Sequence, residues 1–540
     1  MKSLNKFYSP QLLMRSSDGI QKIKVNLFKM KNNIHFAGIL FTGIVLAGCF
    51  SSCKKSNLEL INPNDLTETV FWKTEADAVI GLNGVYDAFQ ATDFVGQRYH
   101  EFDILTDNAR MINSQNEWGH IKASTHKSTT LAVENFWLRY YTVVNRANYV
   151  IEKVSNMPSS AISETSKKAI IAEASFLRAY VYLDLTSLWG DVPFYTKPLG
   201  GFAEGLGKTS KDEIIKNMID DLIQNVIPNL PVTVPANQSG RLRKGAAQAL
   251  LGKYLLYKKD WKNAAATFKT IMDSGMYSLY TDFVKLFTPA GEYSSESLFE
   301  IGFISGGIDN GETFSIQIDT NQAPKTPQAF WQPTSQLVQS YQAIDGKPIS
   351  GTDRSPLYNA AKPYENRDPR LRATIRTNAD ITPGGKKIWN FTATLLFGVK
   401  KFFMLTSEQF IGGPQNYYMI RYADVLLMYA EAQNEDSGPD ATVYNAINLV
   451  RNRVQMPKLP AGMSKTAMRT AIQNERRWEF ALEHQRYFDL KRWGMLETAV
   501  TSLNDAASKF TSPRDLLWPY PQTEMDNNPV LKSQGQNPGW

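Results

Sequence analysis

Residues 249–271 read ALLGKYLLYKKDWKNAAATFKTI. Apolar residues recur at spacings of three and four on either side of Lys258-Lys259-Asp260, which predicts two helices, 244–257 and 260–272, joined by a tight turn. Gly252 and Ala264 stand twelve positions apart, and Phe268 follows one helical turn later. Small residues at those two points let the helix axes approach closely, and the aromatic ring fills the groove between them. Such a hairpin cannot bury its apolar face alone and needs neighbours of the same kind.

Working outward, similar periodicity predicts helices over 134–154, 166–188 and 211–226 upstream. In the second of these, Ile170, Ala174, Leu177, Val181 and Leu185 form one stripe, with Ser163 as the cap and Ser166 as its rival. Downstream, 421–434 and 441–453 make another hairpin across Ser437-Gly438-Pro439, and 466–493 reads as one long last helix. The hairpin at 249–271 resembles the tetratricopeptide pattern, so the expected fold class is mainly α, built of stacked helical hairpins. Residues 283–415 break the pattern: Pro, Gly, Asn, Tyr and Trp are frequent and helical periodicity is weak. A long irregular stretch inside a globular chain is usually functional surface. The tail contains LLWPYP (516–521) and QNPGW (536–540), whose aromatic content predicts that it packs.

The 540 residues are 43% hydrophobic and 21% charged, enough for a large core, which excludes wholesale disorder. The net charge of +7 misleads. Residues 1–48 hold Lys2, Lys6, Arg15, Lys22, Lys24, Lys29 and Lys31 against Asp18 alone, so the remainder is close to neutral. No nucleic-acid footprint is expected from such a body. The apolar run 36–48 (FAGILFTGIVLAG) follows Lys29 and Lys31 and is too short to span a bilayer, which fits a secretory signal. It ends Leu46-Ala47-Gly48-Cys49 and resembles a bacterial lipobox, with Cys49 as the lipid attachment residue and Cys53 as the alternative. Met30 would open a signal of ordinary length and is an alternative start. The expected organisation is a signal peptide at 1–48, a tether at 49–70, a helical region at 71–282, and a second region at 283–540. The latter divides into loop-rich 283–415, helical 416–500 and a packed tail 501–540.

Catalytic constellations are scarce. The only cysteines are Cys49 and Cys53, and the five histidines show no His-x-x-x-His spacing, so no metal, cofactor or thiol nucleophile is expected. Residues 201–209 (GFAEGLGKT) imitate a phosphate loop but carry five residues between the glycines where four are needed, and no buried strand precedes them. Glu475, Glu479 and Glu483 share a helical face, but Arg476, Arg477, Arg486, Lys491 and Arg492 surround them. An ion-pair lattice explains them better than a pair of catalytic carboxylates. The aromatics point elsewhere. Sugar rings pack C–H faces on indole planes while their hydroxyls seek Asp, Asn and Arg. Trp118 lies near Asp107, Asn108, Arg110, Asn113 and Asn116, and Trp331 and Trp389 lie in the irregular region. Trp118, Asp107, Arg110, Asn116, Trp331 and Trp389 are therefore the candidate glycan contacts.

Ordered motifs span almost the whole mature chain: CKKSNLEL (53–60), FLRAYVYLDLTSLWGDVPF (176–194), DGKP (345–348) and YENRDPRL (364–371). IRYADVLLMYAEAQNE (420–435), NAINLVRNR (445–453), ERRWEFA (475–481), RYFDLKRW (486–493) and QNPGW follow. In this order they resemble the SusD/RagB family of outer-membrane nutrient-binding lipoproteins. The resemblance implies four tetratricopeptide-like units in a right-handed superhelical scaffold with a loop-rich subdomain. It also implies a lipid-anchored protein on the outward face of the outer membrane that hands oligosaccharides or other nutrients to a SusC-like TonB-dependent transporter, without catalysis. Arg178, Asp184, Arg421, Glu431 and Arg476 are then scaffold residues that pair within or between hairpins. A glycoside-active enzyme and a helical adaptor for protein alone are the alternatives.

Overall fold

The computed structural model describes residues 71–96, 98–111, 116–199, 205–304, 331–380, 396–402 and 413–540. Cys49, Cys53 and Trp389 lie outside the described residues. Thr74 starts helix α1 (Glu75–Gln90): its hydroxyl accepts the Asp77 N–H, and the Asp77 carboxylate accepts the Thr74 N–H at 2.8 Å. Two otherwise orphaned donors are thereby satisfied reciprocally. Gly81, Asn83 and Gly84 punctuate this helix and hide its periodicity, yet Ala78, Leu82, Val85 and Phe89 form one buried stripe.

A 3-10 stretch (Tyr99–Leu105), strand β1 (Ala109–Met111) and the short helix α2 (Glu117–Lys122) lead to α3 (Leu131–Ser155) and α4 (Glu164–Trp189). Helices α3 and α4 pack as an antiparallel-type hairpin, with α1 laid against α3. Ser163 caps α4 by accepting the Ser166 N–H at 3.1 Å. The expected single stripe is only part of the helix, because every residue from Ala172 to Trp189 is buried. Helix α4 is central, so its polar side chains must find partners inside. Arg178 donates to Asn148 at 2.6 Å and Asp221 at 2.9 Å, and Asp184 accepts from Tyr99 and Tyr140.

A two-residue pairing of β2 (Val192–Pro193) with β3 (Lys208–Thr209) precedes α5 (Lys211–Asp221), which loosens into a π turn over Leu222–Val226. Helices α6 (Lys244–Tyr257) and α7 (Trp261–Asp273) are the hairpin expected from 249–271. A Cβ added at Gly252 would lie 2.5 Å from Cε1 of Phe268, so the close approach does require glycine there. After β4 (Ser297–Ile301) come β5 (Trp331–Pro333), α8 (Ser335–Ser340), α9 (Pro369–Thr374), β6 (Ile375–Arg376) and β7 (Gly398–Val399). Strand β8 (Tyr417–Arg421) pairs antiparallel with β4 and runs directly into α10 (Tyr422–Ser437). Helix α10 packs on α7, on α11 (Ala441–Arg453) and on α12 (Lys465–Glu479), so helices from both sides of residue 282 share one body, Glu68–Trp540. Among the described residues no helix is long and apolar enough to cross a membrane.

The long last helix expected over 466–493 is broken. Helix α12 stops at Glu479, α13 (Gln485–Trp493) begins afresh, and Leu482 and His484 between them adopt φ of 67° and 66°. The break follows from charge. Arg421 bonds both the Glu479 carbonyl and the Glu483 carboxylate, and Lys401 bonds Glu483 and the Glu479 carbonyl. A continuous helix would keep that carbonyl for its own ladder. Around this turn five cations (Arg370, Lys401, Arg421, Arg451, Arg453) meet five carboxylates (Glu296, Asp368, Glu475, Glu479, Glu483). All are nearly inaccessible to water. Burial opposes the charge of Glu479, yet Arg453, Arg421 and Arg370 outweigh it and hold its carboxyl well below the usual range. Nearby, Arg476 ties α12 to Asp424 of α10 and Asp489 of α13, and Glu431 accepts from Arg492 and Trp493. The lattice expected from the glutamate spacing is thus present, and far more buried than a helix surface. The tail packs as well: Trp518 and Tyr520 are buried, and the Trp189 indole donates to the Pro519 carbonyl at 2.8 Å.

Candidate functional site

Strands β1 and β5 pair antiparallel, Arg110 opposite Gln332 and Met111 opposite Trp331. The ribbon is pinned by Thr334, whose N–H donates to the Asn108 carbonyl at 2.9 Å and whose hydroxyl donates to the Asp107 carbonyl at 2.6 Å. The same hydroxyl accepts the Leu337 N–H and caps α8. Gln332 accepts the Leu396 N–H at 2.9 Å, which holds the chain entering β7 beside the ribbon.

An open cleft of about 510 Å³ lies along this arrangement, bounded by Arg110, Gln336, Gln339, Leu396 and the turn Ser502–Asn504–Asp505. Gln336 donates to the Ser502 hydroxyl at 3.0 Å and so joins the two walls. One guanidinium and one carboxylate, Arg110 and Asp505, stand among amides and hydroxyls, so the described lining carries no net charge. Its volume falls in the range of small-molecule pockets. A separate recess of about 230 Å³ is bounded by Asp93, Arg98, Glu117, Trp118 and Asn135. Among the described residues no group of three or more His, Cys, Asp or Glu could hold a metal ion.

The structure treats the sequence-derived candidates unequally. Trp118 is 2% exposed and meets Phe102, Phe136 and Trp518 at ring distances of 5.4, 5.6 and 6.2 Å. Trp331 is 1% exposed and lies against His100. Neither indole presents a face to solvent, so both serve the aromatic core in this conformation rather than a sugar platform. Asp107 is also withdrawn: its carboxylate accepts from Arg486 twice at 3.0 Å and pairs with Arg477 at 3.0 Å. Burial works against its charge, but the two guanidinium groups outweigh it and keep its carboxyl below the ordinary range. Asn116 caps α2 by accepting the Gly119 N–H at 2.8 Å. Arg110 alone lines the larger cleft.

Gln336, Gln339, Ser502, Asn504 and Asp505 were not legible as site residues. Amides and hydroxyls on short helices and turns carry no periodicity, and only the chain path brings 334–339 beside 502–506. Trp118 and Trp331 erred in the opposite sense, because nearby polar residues in sequence are directed to backbone and to arginines rather than to solvent.

Residues 295–540 match the family model described as the SusD family, and residues 57–256 match one described as starch-binding, associating with the outer membrane. SusD-like protein P25 of Formosa agariphila is 28% identical, covering 95% of this chain and all of that protein. A SusD-like carbohydrate binding protein of Bacteroides fragilis has a similar solved structure, with TM-score 0.75 and 27% identity over 85% of this chain and 99% of that one. A laminarin binding SusD-like protein matches with TM-score 0.68 and 25% identity, over 87% of this chain and all of that one.

Proposed function

Because this chain belongs to the SusD/RagB family, we propose that it is a lipid-anchored outer-membrane protein that binds neutral oligosaccharides and delivers them to a SusC-like TonB-dependent transporter. The observation that carries the substrate class is the charge-balanced cleft of Arg110, Gln336, Gln339, Asn504 and Asp505. Amides and hydroxyls can exchange hydrogen bonds with many sugar hydroxyls, and a lining without net charge gives no advantage to an anion. The carbohydrate named for the Bacteroides fragilis relative and the laminarin named for another support the same class. The starch-binding, outer-membrane description of the matching family supports the location.

The anchor is Cys49, or Cys53, acylated after removal of the leader, and residues up to 70 tether the body. Two or three acyl chains would hold it where one is marginal. The cleft takes one wall from the 71–282 region, through Arg110, and the other from 283–540. The reading is binding without turnover. Full-length protein in detergent, titrated calorimetrically with laminari-, malto- and xylo-hexaose, tests it. Binding weakened by Arg110→Ala and Gln336→Ala, with the sugar recovered intact by chromatography, is the expected result. Shortened sugar would support a glycoside-active enzyme instead, and binding of peptides but no glycan would support an adaptor. Co-purification with a TonB-dependent barrel from the native membrane tests the partner.

A further inference from the structure

A larger cleft, about 630 Å³, opens between α1 and the Asn237–Arg241 turn and shares no lining residue with the Arg110 cleft. Its most prominent ring is Tyr293, 41% exposed. An exposed tyrosine is ordinary, but this one is held. Its backbone has φ of 52°, and its N–H donates to Glu300 at 2.6 Å. A Cβ on Gly302 would lie 2.7 Å from the phenol oxygen, and one on Gly240 would lie 3.4 Å from ring Cε1. Two glycines therefore leave room for the ring, which stands on a left-handed backbone conformation that tyrosine seldom adopts.

The rest of the cleft is built to be polar yet neutral. Among the described residues that line it, Arg241 alone carries a formal charge. Its guanidinium lies over the Tyr86 ring at 5.8 Å, donates to Asn83 at 2.5 Å and approaches Glu173 at 3.5 Å. The Tyr86 hydroxyl donates to the same carboxylate at 2.5 Å. Glu173 thus answers the charge of Arg241 from below, and an anionic ligand gains little. Gln90 donates to the Gly302 carbonyl at 2.6 Å and ties α1 to the Tyr293 side of the cleft. Asn237 and Gln238 are exposed on the opposing turn.

We propose that this cleft is a second binding site for a neutral saccharide, one sugar ring stacking on Tyr293 while Asn83, Asn237 and Gln238 bond its hydroxyls. A preorganised aromatic face among uncharged donors and acceptors suits a pyranose, which offers C–H groups on one face and hydroxyls at its rim. The inference goes beyond the Arg110 cleft and does not require it. Two separated contacts on one polymer would raise overall affinity through effective concentration.

Full-length protein labelled with 3-fluorotyrosine tests the proposal, the Tyr293 fluorine resonance being assigned by its loss in Tyr293→Phe. Probes are laminari-, malto-, cello- and xylo-hexaose, with trigalacturonate as the anionic control. At least one neutral hexaose shifts the Tyr293 resonance, and does so equally in an Arg110→Ala/Gln336→Ala double variant. Calorimetry on that double variant reads residual binding, which Tyr293→Ala weakens about fivefold or more, and Asn237→Ala weakens in the same direction. A Tyr293 signal that no neutral probe moves, while the Arg110 cleft still binds, overturns this inference and leaves the proposed function standing. Movement by trigalacturonate alone, or movement abolished in the double variant, also overturns it. Silence at both clefts across the panel overturns both readings.

Discussion

The lattice around Glu479 and the cleft around Arg110 are made from the same kinds of residue and behave oppositely. In the lattice, four arginines and Lys401 are matched by five carboxylates, dry, and consumed by one another. Along the cleft, a single opposite pair is diluted by glutamines, asparagine and serine that face an open volume. Buried pairs are costly to desolvate and worth keeping only when every partner is present, which makes them rigid. Neutral amides at a surface cost little and can exchange water for a ligand. The difference places structural precision in the helical stack and adaptability at its irregular side.

Breaking the lattice should have the largest effect. Glu479→Gln leaves Arg370, Arg421 and Arg453 short of a carboxylate at a site with no access to water. A loss of about 3–5 kcal/mol in urea unfolding is expected, as for other buried pairs with one member removed. Trp118→Ala belongs with it. Removing a buried indole from contact with Phe102, Phe136 and Trp518 should cost about 3–5 kcal/mol. A stable Trp118→Ala protein that had merely lost sugar affinity would mean the indole turns outward when ligand arrives. Gly252→Val comes next, at about 1–3 kcal/mol, because its side chain must displace Phe268 between α6 and α7.

The helical hairpins were readable because their signal is local. Gly252, Ala264 and Phe268 announce α6 and α7, and Ser163 announces α4, with no knowledge of the rest of the chain. Helix α1 escaped because glycines and an asparagine interrupt its stripe, and its capping box begins at an unremarkable Thr74. The break between α12 and α13 could not be read at all. It depends on Arg421 and Lys401, more than fifty residues upstream, competing for the Glu479 carbonyl. Asp107 misled for the same reason, since Arg477 and Arg486 reach it across some 370 residues of sequence. Polar residues acquire their roles from partners that only the fold supplies.

A gentler probe concerns pH. Burial pushes the Glu300 carboxyl up to about 8, with Glu292 adding to the shift and Arg243 opposing it, and burial pushes Glu292 up to about 7. A carboxyl whose folded pKa exceeds its unfolded value of about 4.5 is favoured in its neutral form by folding. Its contribution is complete below about pH 4.5 and is lost as pH rises through about 8. Stability should therefore decline between roughly pH 5 and 8, by at most about 1.4 kcal/mol per pH unit for each proton released. Glu300→Gln should flatten that decline in denaturant titrations at several pH values. An unchanged slope would mean that Glu300 reaches solvent in the folded protein.

The smallest expected change in stability is the most informative for function. Arg110 is only partly buried and sits on a two-stranded ribbon held mainly by Thr334, so Arg110→Ala should alter unfolding by no more than about 0.5 kcal/mol. Its effect on oligosaccharide binding should be larger, about 1–2 kcal/mol, because a charged donor to a ligand hydroxyl is lost. That pattern is the inverse of Glu479→Gln, where stability falls and the cleft lining is untouched. Calorimetric titration beside chemical denaturation reads both quantities on one preparation. If Arg110→Ala instead destabilised the chain as strongly as Glu479→Gln and left affinity unchanged, the cleft would be scaffold, and the division between a dry charged lattice and a wet neutral surface would fail at its most exposed point.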